Sequence, residues 1–193
     1  PRQGRTDPNI ACCRRRFACE MRLHAAEAHV AHRRGIWSCM AYDVAIIGSG
    51  FTGAALALQL LRSLPPGARI VLVGPPQSLG MGVAYSTTCN DHLLNVRAGR
   101  MSMVEGDAGH FVRWVNQNEP HLCPVRDETA DRYLPRSAYG RYVRASLLNE
   151  IEVAKPRVAI ELVEDWAIDL RRDADTSVIV TAAGQRFEAT TVA

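Results

Sequence analysis

The sequence holds no run of apolar residues approaching the roughly 20 that a bilayer-spanning helix needs, so no membrane-spanning helix is expected. It also lacks the apolar core of a secretory signal, and Asp7, Glu20 and Glu27 sit where an organelle transit peptide would be free of acids. Cysteine is concentrated rather than spread: Cys12, Cys13, Cys19 and Cys39 fall in residues 1–39, with no C-x-x-C pair among them. Together with His24, His29 and His32 they match no familiar zinc spacing, so no metal site is expected. Only Cys89 and Cys123 remain, too few for a disulfide framework, which points to a reducing compartment and a cytoplasmic protein. No Ser/His/Asp triad, carboxylate pair or repeat is recognisable, so no residue is assigned a catalytic role. The formal charge of +3 comes from the first segment, where eight Arg outnumber three acids, and the rest is slightly acidic. That excludes a nucleic-acid-binding body. Residues 1–39 also lack hydrophobic periodicity, and Met40 directly precedes the first ordered pattern. They are expected to be a disordered or non-native extension, upstream sequence read in frame, with the folded unit at 40–193.

What is present is organised around residues 42–61, YDVAIIGSGFTGAALALQLL. Residues 43–47 form a short Val/Ile-rich run suited to a strand buried on both faces. Gly48, Gly50 and Gly53 follow at G-x-G-x-x-G spacing, and a helix over 51–64 and a second strand over 69–73 complete a βαβ unit. In such a unit the first glycine makes the tight turn, the second admits a pyrophosphate to the backbone, and the third lets helix and strand pack closely. The helix tip offers unpaired amides and its positive end to an anion. The spacing therefore predicts dinucleotide binding by the turn Gly48, Ser49, Gly50, Phe51, Thr52 and Gly53. One expected group is missing. The second strand ends in Gly74, where such sites place an Asp or Glu that accepts from the ribose hydroxyls. Losing a hydrogen bond to a charged group weakens binding by about 1.5–3 kcal/mol unless something replaces it. Arg69, at the start of that strand, is at the wrong end to read a 2′-phosphate.

Further motifs follow in order: G-x-G-x-A-Y-S (Gly80, Gly82, Ala84, Tyr85, Ser86), H-L-L-N-V over 92–96, Met101 and Ser102, F-V-R-W-V over 111–115, and L-P-R-S-A-Y-G-R-Y over 134–142. In this order, after GSGFTG, residues 40–193 resemble the FAD/NAD(P)-binding domain family of FAD-dependent urate hydroxylases and flavin-dependent aspartate N-monooxygenases. The resemblance implies an α/β, Rossmann-like FAD/NAD(P)-binding domain: a parallel sheet with helices plus a small antiparallel β-meander. It implies FAD as cofactor, NAD(P)H as reductant, a small-molecule substrate, and no nucleic-acid or membrane partner. On it, the glycine turn surrounds the pyrophosphate, and the loop containing Gly82 and Asn95 runs toward the flavin.

Other residues carry competing readings. Asn95 is a candidate flavin contact or a turn cap, and His92 a proton carrier or an ordinary surface histidine without a tuning carboxylate. Tyr85 and Trp114 are expected to pack, and Arg136 to meet an anion or a structural partner. Residues 117–132 read as a polar surface loop. Ser137 is expected to cap a helix whose Tyr139, Tyr142, Val143 and Leu147 face inward. From residue 157 the pattern alternates as strands do, closing in a meander, with 189–193 opening one more parallel strand. The domain is therefore expected to be a truncated, N-terminal FAD-binding part of a flavin-dependent oxidoreductase of monooxygenase type, inactive alone. An NAD(P)-dependent dehydrogenase with a single Rossmann domain, and a non-catalytic nucleotide-binding module, stay open.

Overall fold

The computed structural model describes residues 41–172 and 175–193; the 1–39 extension, with its cysteines and histidines, lies outside the described residues. The elements run β1 (Tyr42–Ile47), α1 (Phe51–Ser63), β2 (Arg69–Gly74), α2 (Gly82–Tyr85), α3 (His110–Asn118), α4 (Arg136–Ala154), β3 (Ala159–Glu164), β4 (Ala167–Arg172), β5 (Ser177–Thr181) and β6 (Arg186–Val192). The strands form a single sheet in the order β3-β2-β1-β6-β5-β4. The first four in that order are mutually parallel, while β5 runs antiparallel to both β6 and β4. The α/β architecture expected from the sequence, a parallel sheet with an antiparallel meander, is the one observed.

The buried run Ile70, Val71, Leu72, Val73 occupies an inner strand because every side chain there has a face to enter. Alternation sends Ile46, Ile70 and Leu72 toward α1 and α4, into a core with Ala54, Ala57, Leu58 and Leu61. The opposite face joins Ala45, Val71, Val73 and Val163 to Ile179 and Phe187. At the far end of α1, Arg157 donates to the carbonyls of Leu61 and Leu64, partnering groups that a helix terminus leaves open.

Strand β6 serves two neighbours. Its first half, to Ala189, pairs with β5, and Ala189, Thr191 and Val192 pair in parallel with β1. The expected final parallel strand is thus continuous with the meander. Helix α4 begins with Pro135 as its cap, not Ser137, whose buried hydroxyl has no hydrogen-bond partner among the described residues. Proline sets φ near the helical value without needing a donor, so the helix starts before the serine can cap it. The inward residues are as expected: Tyr139, Tyr142, Val143 and Leu147 are buried. Phe111 meets Tyr139 and Tyr142 with ring centroids 5.1 and 4.8 Å apart, and Trp114 packs edge-on to Tyr142. The 117–132 segment is more fixed than a surface loop. Glu119 is buried and accepts two hydrogen bonds from Arg141 at 2.5 and 2.6 Å, and Thr129 bonds Asn116 at 2.7 Å.

At the start of α3, His110 Nδ1 lies 2.9 Å from the Tyr142 hydroxyl. Burial, more than the neighbouring charges, pushes the imidazole below its ordinary value of 6.5. The unfolded chain therefore takes up a proton near pH 6.5 that the folded chain resists. Stability is expected to fall as pH drops through that value, levelling off below the folded pKa. Melting curves from about pH 7 to about pH 5 should show a shallower slope for His110→Gln than for the parent. Equal slopes would remove His110 as the source.

Candidate functional site

The carboxyl ends of β1, β2 and β6 meet at the glycine turn. The Ile47 amide donates to the Ala193 carbonyl at 2.8 Å, and the Gly48 amide to the Val73 carbonyl at 2.8 Å, fixing the turn between its neighbours. Strands β2 and β6 leave β1 on opposite sides, so the turn lies where the strand order diverges, the place where open α/β sheets bind ligands. Gly48 has φ +108°, a conformation that side chains disfavour. A Cβ on Gly53 would stand 1.8 Å from the Gly48 carbonyl oxygen, so α1 can begin against the turn only with glycine there. The Gly50 carbonyl receives the Ala54 amide at 2.9 Å, leaving the amides of Phe51, Thr52 and Gly53 without intrahelical partners.

A second glycine segment leans on the first. The Gly80 amide donates to the Ser49 carbonyl at 2.8 Å. A Cβ on Gly82 would come within 3.2 Å of the Gly50 Cα, and one on Gly80 within 2.7 Å of the Arg144 nitrogen. Backbone thus packs on backbone from the turn across to α4. Tyr85 fits the packing role, its ring 4.9 Å from Tyr139, while the Phe51 ring lies 5.9 Å from Tyr139.

Cavities flank the turn. One of about 750 Å³ is lined by Gly48, Ser49, Gly50 and Gly82, and also by Ser78, Arg144 and Trp166. Another, of about 350 Å³, meets Gly48, Gly50, Phe51, Thr52, Gly53 and Gly82, and reaches Ala193. The structure therefore brings seven of the eight sequence-derived residues to the two cavities. The Ser49 hydroxyl is turned to that of Ser78. Asn95 is exposed in the loop after Leu94 and lines neither cavity. His92, also exposed, pairs with Thr87 at 2.7 Å, and Arg136 donates to the Leu93 carbonyl at 3.0 Å, a structural use of that guanidinium.

The absence of an acid at position 74 acquires a physical reason. A Cβ there would lie 2.1 Å from the Ser49 hydroxyl oxygen and 2.6 Å from the Ser49 nitrogen. The glycine turn occupies the space that a side chain would need. Residues that local reasoning missed are Arg144, Trp166 and Glu164. They come from α4, the end of β3 and the turn after it, about 70 residues or more beyond Gly74, and no local motif marks them.

Bare amides at a helix tip, a turn that excludes Cβ atoms and a cavity on either side suit the diphosphate of a dinucleotide, which needs close backbone approach and no competing carboxylate. The ribose end lacks its usual acceptor on β2. Known proteins agree with the fold. No curated protein matches the chain by sequence. Among solved structures, the ornithine N-hydroxylase of Kutzneria sp. 744, in complex with reduced FAD, NADP+ and L-ornithine, is similar at TM-score 0.54 and 13% identity, over 79% of this chain and 36% of that one. A cyclohexanone monooxygenase mutant from Rhodococcus sp. Phi1, bound to NADP+, is similar at TM-score 0.50 and 14% identity, over 78% and 25%. A flavin-containing monooxygenase from Stenotrophomonas maltophilia is 20% identical with TM-score 0.49, over 79% of this chain and 37% of its own. The chain thus spans well under half the length of these neighbours. Residues 45–193 match the family described as FAD-NAD(P)-binding, and the chain belongs to that family.

Proposed function

We propose that residues 40–193 are the FAD-holding part of a flavin-dependent oxidoreductase of monooxygenase type, working on a small-molecule substrate in the cytoplasm with NAD(P)H as reductant. The observation that carries the reading is the glycine turn: Gly53 abuts the Gly48 carbonyl so closely that only a bare helix tip fits. The family match and the fold shared with N-hydroxylating and other monooxygenases support it. In this reading the amides after Gly50 grip the diphosphate, and Thr52, exposed at the tip, adds a hydroxyl. Gly82 keeps the second loop tight against Gly50, so that the two cavities form the walls of one bound dinucleotide. Asn95 stands as a contact further along the loop. Bound flavin would supply hydride acceptance and oxygen chemistry, and the protein's share is to bind, orient and shield it.

Titration of the purified chain with FAD should quench flavin fluorescence and reshape its absorbance, with ADP competing. A chain that binds NADH or NADPH but leaves FAD unperturbed would favour a dehydrogenase, and one that binds neither would favour a non-catalytic module.

A further inference from the structure

Resting on the dinucleotide reading above, we propose that Glu164, at the end of β3, is the acceptor for the ribose hydroxyls, in place of the acid missing from the end of β2. Gly74 and Glu164 are register partners on adjacent parallel strands, so the two positions face the same side of the sheet. Both line one cavity of about 430 Å³, together with Ser49, Pro75 and Arg144. Adjacent strands lie about 4.8 Å apart, a shift that the longer reach of a glutamate partly offsets. The seat above Gly74 is closed, since any side chain there would strike Ser49. A ribose following the diphosphate away from the turn therefore meets β3 rather than β2.

Charge supports the same path. The side chains of Glu164 and Arg144 form no hydrogen bond or ion pair with each other or with any other described residue. Arg144 lines this cavity and also the larger one at the glycine turn, whereas Glu164 lines only this one. Passing from the turn, a ligand meets amides, then a guanidinium, then a carboxylate. That order matches an anionic diphosphate followed by a neutral diol that donates hydrogen bonds. A 2′-phosphate placed beside Glu164 would be repelled.

The test is calorimetric titration of the folded chain with ADP, 2′-deoxy-ADP and 3′-deoxy-ADP, repeated on Glu164→Gln and Arg144→Gln. The Glu164 side chain is exposed and bonds no other described residue, so its substitution leaves the core untouched. Loss of the ribose hydroxyl that contacts Glu164 should weaken binding about tenfold or more in the parent, and much less in Glu164→Gln. Arg144→Gln should weaken ADP and its deoxy forms alike. The proposal is overturned if Glu164→Gln discriminates among the three as the parent does, if Arg144→Gln alone erases the discrimination, or if adenosine 2′,5′-bisphosphate binds the parent more tightly than ADP. A parent that circular dichroism shows folded but that binds neither ADP nor FAD removes the dinucleotide reading itself, and this assignment with it.

Discussion

Gly53→Ala is expected to push the tip of α1 away from the turn and to abolish detectable FAD binding. The added carbon would sit 1.8 Å from the Gly48 carbonyl oxygen and 3.0 Å from its carbon. Both are backbone atoms held by the strand, since the neighbouring amide of Gly48 bonds Val73, so no rotamer change relieves the contact. Overpacking a tight site costs about 1–3 kcal/mol, occasionally more, and a clash with backbone belongs at the upper end. The same displacement withdraws the amides of Phe51, Thr52 and Gly53 from the place where a diphosphate would lie, so binding falls along with stability. Urea denaturation and FAD titration of parent and variant measure the two losses separately. A variant as stable as the parent, with unchanged affinity, would mean that the turn and helix do not touch as described.

The Glu119–Arg141 pair should show a marked asymmetry. The Glu119 side chain is only 9% exposed, whereas that of Arg141 is 44% exposed. Glu119→Ala frees a guanidinium that can turn to water, so the expected loss is about 1.5–3 kcal/mol, the range for hydrogen bonds to a charged group. Arg141→Ala strands a buried carboxylate and should cost more, toward the roughly 3–5 kcal/mol seen when one member of a buried pair is removed. Denaturant midpoints of both single variants and of the double variant give the comparison. If Arg141→Ala proves the milder change, the carboxylate has access to water that the fold described here denies it.

These two predictions draw on different kinds of information. The clash at Gly53 was legible from its spacing to Gly48, because a turn between a strand and a helix is a local feature written within six residues. Helix α1, strand β2 and the inward face of α4 were legible for the same reason: periodicity reports burial without reference to the rest of the chain. Glu119 and Arg141 were not. They meet across 22 residues, through a segment whose prolines and charges read as surface. Arg144 and Glu164 were also hidden, since their value arises only when α4 and β3 are brought beside Gly74. The glycine at 74 was visible as a departure, but its cause, Ser49 lying in the path of a side chain, requires coordinates. At Ser137 a local preference was overridden: a good capping residue lost its place to the proline two positions earlier.

The contacts of Gly50 with Gly82, Gly80 with Arg144, and Gly140 with Tyr85 have a mechanical consequence. Main chain rests on main chain at each, so the closest contacts cannot be relieved by a change of rotamer. Three segments joined in this way should open to solvent as one cooperative unit rather than fray separately. A tug on the tip of α1 would thus be felt along α4 as stiffness, not as slack.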